Sequence, residues 1–292
     1  MSTPRANSTE GPGRLVLVGT PIGNLGDCSP RMAAVLRDAD VIAAEDTRSV
    51  RTLLHHLAIP AGPRLLAVHD HNEAAAAATI VDHVLAGRTV AYTSDAGMPG
   101  ISDPGERLVA AVVAAGGIVE VVPGPSAVLA ALVASGLPTD AFVFLGFLAR
   151  KGPSRAAALD EIVTARHTVV CFESPRRVVA TLRDLAALGA GDRCAALARE
   201  LTKVHEEVVR GTVDELIARY ADADPRGECV LVVGAAPAPL VADDDTLGAA
   251  LDVLLADGVS ARDAASELAD VYGVAKRRVY DLAIRRGSRA GG

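Results

Sequence analysis

The sequence predicts an α/β protein with a small all-helical unit at its C-terminal end. From Arg14 to Gly234 short β-rich apolar runs alternate with longer amphipathic stretches, the repetition expected of parallel sheets covered by helices. The chain has 292 residues, which at about 150 per domain implies two globular units with room for an appendage. Residues 246–286 lose the strand pattern and keep apolar positions at helical spacing, first Leu247, Leu251, Leu254 and Leu255, then Ala264, Ala265 and Leu268, then Val279, Leu282 and Ala283.

Taken in order, strands are predicted at Leu15–Val18, Val41–Ala44, Leu65–Val68, Thr89–Thr93, Val119–Val122, Phe142–Leu145, Thr168–Phe172, Cys194–Ala198, Glu206–Arg210 and Cys229–Val233. So many strands exceed one comfortable open sheet. Ser29 before Pro30 and Ser174 before Pro175 read as helix starts, a capping hydroxyl followed by a proline that needs no N–H. Asn72 reads as the cap of a helix over the alanine run that follows Glu73. Pro123-Gly124-Pro125 breaks the βα pattern near its middle, and Ala236-Pro237-Ala238-Pro239 followed by Asp243, Asp244 and Asp245 reads as a linker. The organisation expected is therefore a disordered tail over 1–12, α/β domains over 13–124 and 125–236, a linker over 237–245 and a helical extension over 246–292. Within that extension, a helix after Ser260 ending near Tyr272-Gly273 and another beginning around Val274 follow helix-turn-helix grammar.

Composition narrows the function. With 50% hydrophobic and 22% charged residues the chain has the balance of a packed protein rather than a disordered one. Its longest apolar stretches, Leu108–Val119 and Ala127–Leu137, fall short of the roughly 20 residues that cross a bilayer, so no membrane association is expected. Met1 to Pro12 lack the apolar core of a secretory signal, which predicts a cytoplasmic location. Cys28, Cys171, Cys194 and Cys229 form no close pair, indicating neither disulfides nor a zinc site. A net charge of −7 and 3% aromatic residues argue against binding nucleic acid by bulk charge or extensive stacking. Local contact is still open, because Lys276 to Arg289 carry six basic residues against Asp281 alone.

Three Gly/Pro-rich turns follow predicted strands, where α/β sheets place ligands. They are Gly19-Thr20-Pro21-Ile22-Gly23-Asn24-Leu25, the run from Thr93 to Gly105, and Pro123-Gly124-Pro125-Ser126-Ala127. The first is neither a dinucleotide fingerprint nor a P-loop. The second fixes an unusual backbone path suited to a ligand held by main-chain groups, with Asp95 or Asp103 either facing a positive group or bracing the turn. The third lies where two domains would meet, a favoured place for a cleft.

These turns, with AAEDTR (Ala43 to Arg48), HDHNE (His69 to Glu73), GF (Gly146-Phe147), FESPRR (Phe172 to Arg177) and ARELTKVHEE (Ala198 to Glu207), resemble in order and spacing the ribosomal RNA small subunit methyltransferase I group, within the tetrapyrrole-methylase fold. The resemblance spans nearly the whole chain. It implies two α/β domains with S-adenosylmethionine in the cleft between them, a homodimer, and 2′-O-methylation of a cytidine ribose in the decoding centre of 16S rRNA, as free RNA or in the small ribosomal subunit. Carried onto this sequence, the cofactor loops include Pro21, Gly97, Ile101, Asp103, Ser126 and Ala127, with Phe172 near the ligand from the second domain.

A ribose hydroxyl is a poor nucleophile until it is deprotonated or held in line with the methyl donor. Glu45, Asp46, His69 and His71 are the candidate catalytic groups, the histidines because imidazole titrates near neutrality; the alternative for them is bracing a turn or bonding phosphate. Arg48, Arg176 and Arg177, whose guanidinium groups fork onto phosphate, are candidate substrate contacts, as is Asn72. His-Asp-His lacks a third ligand in spacing, so no metal is expected. Two other readings fit the residues less well: a methyltransferase for a corrin or porphyrin precursor, and a DNA-binding regulator using the helix-turn-helix.

Overall fold

A computed structural model describes residues 13–60, 64–69, 72–237 and 242–290. The expected tail over 1–12, His71 and part of the expected linker lie outside them. The chain forms two compact units that divide between residues 235 and 236. The first unit contains β1 (Arg14–Val18), α1 (Pro30–Asp38), β2 (Val41–Ala44), α2 (Thr47–His56), β3 (Arg64–Ala67), α3 (Glu73–Leu85), β4 (Thr89–Thr93), α4 (Glu106–Ala114), β5 (Ile118–Val122) and α5 (Ala127–Ser135). It continues through β6 (Phe142–Phe147), α6 (Pro153–Thr164), β7 (Thr168–Glu173), α7 (Pro175–Leu185), β8 (Cys194–Arg199), β9 (Glu207–Thr212), α8 (Val213–Arg219) and β10 (Cys229–Val233).

β1–β5 form a parallel sheet in the order β3-β2-β4-β1-β5. Its strands are apolar on both faces because helices cover both. Val16, Val18, Ile42 and Ala44 meet Met32, Leu36, Val50 and Leu54 of α1 and α2. The alternating set Leu15, Val41, Ala43 and Tyr92 meets Ile80, Val84, Leu108 and Val112 of α3 and α4. Ser29 accepts the Met32 N–H at 3.0 Å and so caps α1, whereas Ser174 caps α7 in position without a side-chain hydrogen bond.

The second sheet, ordered β6-β7-β10-β8-β9, is mixed rather than parallel throughout: β7, β10, β8 and β9 pair antiparallel, and only β6 and β7 run parallel. The short link from β8 to β9 explains part of this, since a parallel crossover needs a dozen or more residues. One face packs on α6, α7 and α8. The other receives α5, through Val128, Ala131 and Leu132 against Val170, Ala196 and Val232. The helix that leaves the first sheet thus belongs to the core of the second.

Buried charges tie these layers at three points. Arg193, 6% exposed, donates to the carbonyls of Ile162 (2.7 Å) and Val163 (3.0 Å) at the end of α6 and to that of Gly234 after β10; burial lowers its pKa. Glu173, 2% exposed, accepts from Thr181 Oγ1 (2.7 Å) and Arg177 Nη2 (3.2 Å). Glu73 Oε1 accepts the N–H groups of Gly105 (3.0 Å), Arg107 (3.1 Å) and Leu108 (3.4 Å). It serves as a carboxylate cap for α4, whose own N-cap, Gly105, has no side chain to offer. Cys171 is fully buried, which pushes its thiol up to about 12 and leaves it a small hydrophobe.

The second unit, described by itself, packs α9 (Asp244–Ala256), α10 (Ala261–Tyr272) and α11 (Lys276–Ala290) around Leu247, Leu251, Leu268 and Val279. Asp243, within the expected linker, caps α9 by accepting the Thr246 N–H at 2.8 Å, and Asp244 and Asp245 form the first helical turn. Ser260 caps α10 and Gly273 ends it in the left-handed region. Arg278 and Arg286 of α11 pair with Asp244 (2.8 Å) and Asp252 (2.7 Å) of α9.

Two substitutions test the ties. Arg193→Ala orphans three carbonyls and leaves a cavity, and is expected to cost about 2–4 kcal/mol in urea unfolding. Glu73→Ala removes the α4 cap and is expected to cost about 2 kcal/mol, while Glu73→Gln, which keeps an acceptor oxygen, recovers at least half of that.

Candidate functional site

The order β4-β1-β5 brings the three Gly/Pro-rich turns side by side at the carboxyl ends of their strands. Their backbones interlock. The Gly19 N–H donates to Val122 O (3.0 Å), Thr20 N–H to Gly97 O (2.9 Å), and Gly97 N–H back to Thr20 O (3.2 Å). A Cβ added at Gly19 or Gly124 would stand 2.6 Å from the other's backbone, so neither position tolerates a side chain. Gly97 has φ +79°, a conformation that glycine adopts freely. The run from Gly97 to Gly105 is pinned beyond this point by Tyr92, whose buried hydroxyl donates to Pro104 O at 2.8 Å.

Between these turns and the second sheet lies a cavity of about 410 Å³, within the range of small-molecule sites. Gly97, Ile101, Asp103, Ser126, Ala127 and Phe172 all line it. Ser126 has its hydroxyl on Leu129 N–H (3.4 Å), capping α5. Phe172 packs edge-on against Phe144 (5.0 Å) and against Phe147 (5.1 Å), itself a wall residue. The wall also contains Ile22, Met98, Leu201 and the segment Gly227–Val230. Pro21 lines a second cavity, about 290 Å³, that shares Ile22, Ala96 and Glu228 with the first. Mostly apolar walls with Asp103 and Glu228 suit a ligand that joins an aromatic body to a positive charge.

Glu228 is joined to Lys203 at 2.9 Å, and Lys203 to Glu200 at 3.0 Å. Burial works against the Lys203 ammonium, but its bonds to the two carboxylates outweigh that and raise its pKa. Glu200 is held below the usual carboxylate range by the Glu228 N–H and then by Lys203. No sequence motif marks the Gly227–Val230 wall, whose place depends on the pairing of β10 with β7 and β8.

The remaining candidates among the described residues fall outside both walls. Asp46 caps α2 and grips Arg48 with both carboxylate oxygens, which lowers its pKa to about 2. The Asp46 N–H donates to Asp95 Oδ1 (3.2 Å) and the Asp95 N–H to Glu45 Oε2 (3.4 Å), so Glu45 and Asp46 fix the turn behind the second cavity. Asn72 makes no capping bond; it accepts the His69 N–H (2.8 Å) and donates to Ala67 O (3.0 Å), bracing the end of β3. His69 is exposed at this turn. Arg176 is exposed on the first turn of α7, and Arg177 donates to Leu148 O, Ala149 O and Glu173. Among the described residues no group of three His, Cys, Asp or Glu side chains has the arrangement to hold a metal ion, and no helix is long and apolar enough to cross a membrane.

Known proteins are similar to this chain in sequence and in fold. The tetrapyrrole (corrin/porphyrin) methylase family matches residues 14–217, and the RsmI C-terminal HTH domain matches residues 241–287. The ribosomal RNA small subunit methyltransferase I of Mycobacterium bovis is 49% identical over 96% of this chain and 98% of its own. That of Synechocystis is 41% identical over 93% of this chain and 98% of its own. The solved uroporphyrin-III C-methyl transferase from Thermus thermophilus, complexed with S-adenyl homocysteine, has the same fold with a TM-score of 0.52 and 22% identity, over 77% of this chain and 97% of its own. The chain belongs to the ribosomal RNA small subunit methyltransferase I family, within the tetrapyrrole methylases.

Proposed function

We propose that the chain methylates the 2′ hydroxyl of a cytidine ribose in the decoding centre of 16S rRNA, with S-adenosylmethionine as donor, acting as a homodimer in the cytoplasm. The observation that carries this reading is the apolar cavity at the interlocked turns, in a chain whose helical C-terminal unit matches that of rRNA methyltransferases. The fold likeness to a uroporphyrin enzyme favours a macrocycle as the second choice. It leaves about a quarter of this chain unmatched, and that remainder supports RNA over a small acceptor.

When bound, S-adenosylmethionine would supply an electrophilic methyl carbon on a sulfonium, whose sulfur leaves as a neutral thioether when the ribose oxygen bonds that carbon. The chain's part is to hold and to orient. Apolar side chains such as Ile101, Ala127 and Phe172 suit the adenosine, main-chain groups near Gly97 fix its position, and Asp103 places negative charge near the cation. Pro21 and Ser126 shape the turns on which these groups stand. Positioning supplies most of the acceleration. Glu45 and Asp46 act through Asp95 by fixing the turn beside the acceptor, with His69 and His71 as the candidate proton carriers. Arg176 offers its guanidinium group to phosphate, Arg48 does so with the Nη1 edge that its pairing to Asp46 through Nε and Nη2 leaves over, Arg177 holds the start of α7 through Glu173, and Asn72 holds the histidine turn.

Incubation with labelled donor and, in parallel, small ribosomal subunits, naked 16S rRNA, a porphyrinogen and duplex DNA tests the reading; label in an alkali-resistant ribose of 16S rRNA supports it, and label in the macrocycle overturns it. Gly97→Trp is expected to weaken S-adenosylmethionine binding at least about 100-fold by calorimetry while circular dichroism stays native, because any side chain strains the backbone at φ +79° and the ring crowds a wall of the cavity. Arg48→Ala is expected to leave that affinity within about twofold and to slow turnover on the RNA about tenfold, measured by initial rates.

A further inference from the structure

The second cavity contains a group that the fold leaves unsatisfied. Thr93, at the end of β4, is 1% exposed and lines this cavity, and its hydroxyl has no hydrogen-bond partner among the described residues. Buried hydroxyls are nearly always satisfied, so the orphaned Thr93 hydroxyl on the wall of a cavity points to a polar occupant. Further hydroxyls come from Ser49 and Thr52, which α2 presents on one face together with Leu53.

Charge narrows the occupant's chemistry. The charged side chains of the wall are Asp95, Lys203 and Glu228, and Lys203 is already neutralised by Glu228 and Glu200. A phosphate would meet net negative charge here. A neutral, hydroxyl-bearing group would find donors and acceptors in Thr93, Ser49 and Asp95, over an apolar floor that includes Val50 and Leu53. The cavity shares Ile22, Ala96 and Glu228 with the larger one, so an occupant sits directly beside a donor held there, as transfer between the two requires.

We infer that this hydroxyl-lined cavity is the subsite for the acceptor nucleoside, with the Thr93 hydroxyl holding its ribose in position. The inference rests on the rRNA-methylating reading and adds where the acceptor sits. Thr93 is a positioning residue for the substrate, and its hydroxyl contributes nothing to the free protein's stability.

Thr93→Val keeps the shape and removes the hydroxyl; Thr93→Ser restores it. In full-length protein, Thr93→Val is expected to raise KM for unmethylated small ribosomal subunits, or lower kcat/KM, by about tenfold. S-adenosylmethionine affinity should stay within about twofold and Tm should be unchanged or higher. Thr93→Ser should recover most of the loss. Wild-type kcat and KM in Thr93→Val overturn the inference. So does weakened S-adenosylmethionine binding with unchanged acceptor KM, which assigns the cavity to the donor. Failure of the wild-type chain to methylate the subunits is a separate result, which overturns the functional reading and the subsite with it.

Discussion

The close approach of Gly19 and Gly124 is the constraint on which the site depends. Two turns from neighbouring strands touch backbone to backbone, and the third is stitched to the first by the paired hydrogen bonds of Thr20 and Gly97. A cavity walled by turns is ordinarily a mobile thing, because turns make few long-range contacts. Here three of them restrain one another, and the wall they form is preorganised for a ligand. The tie by Glu73 extends this restraint, since the same carboxylate that begins α3 also fixes the start of α4, where the longest turn ends.

The two sheets are coupled through α5. It begins at the third turn, capped by Ser126, and its apolar side chains complete the core of the sheet that follows. Phe172 and the Gly227–Val230 segment, from that second sheet, therefore stand at a set position opposite Gly97 and Ala127. A buried helix at the junction makes the cavity part of a packed core, and packed cores resist continuous deformation.

Much of the architecture was legible before any coordinates. All ten strands lie where apolar periodicity places them, to within a residue or two at the ends, because both faces of each sheet are covered and the runs are unambiguous. Strand direction in the second sheet was not legible, since it depends on connection length and pairing rather than on the pattern within a strand. The turns around the larger cavity could be found because glycine and proline advertise an unusual backbone. Thr93 enters only as the last residue of a strand and the first of the second turn, and its unsatisfied hydroxyl could not be found, because in sequence it is another β-branched strand former. Arg177 shows the same limit from the other side: the residue type suits phosphate, and the fold supplies carbonyls and Glu173 within its reach.

The aspartates of α9 bear on how the small helical unit meets a polyanion. Arg278 and Arg286 are held by Asp244 and Asp252. Neither arginine can gain a phosphate without surrendering a carboxylate, so neither brings a condensed counterion's worth of release entropy to the encounter. Whatever pull this unit exerts on a polyanion therefore falls to the other basic residues of α11, Lys276 among them, and not to the two arginines that hold its helices together.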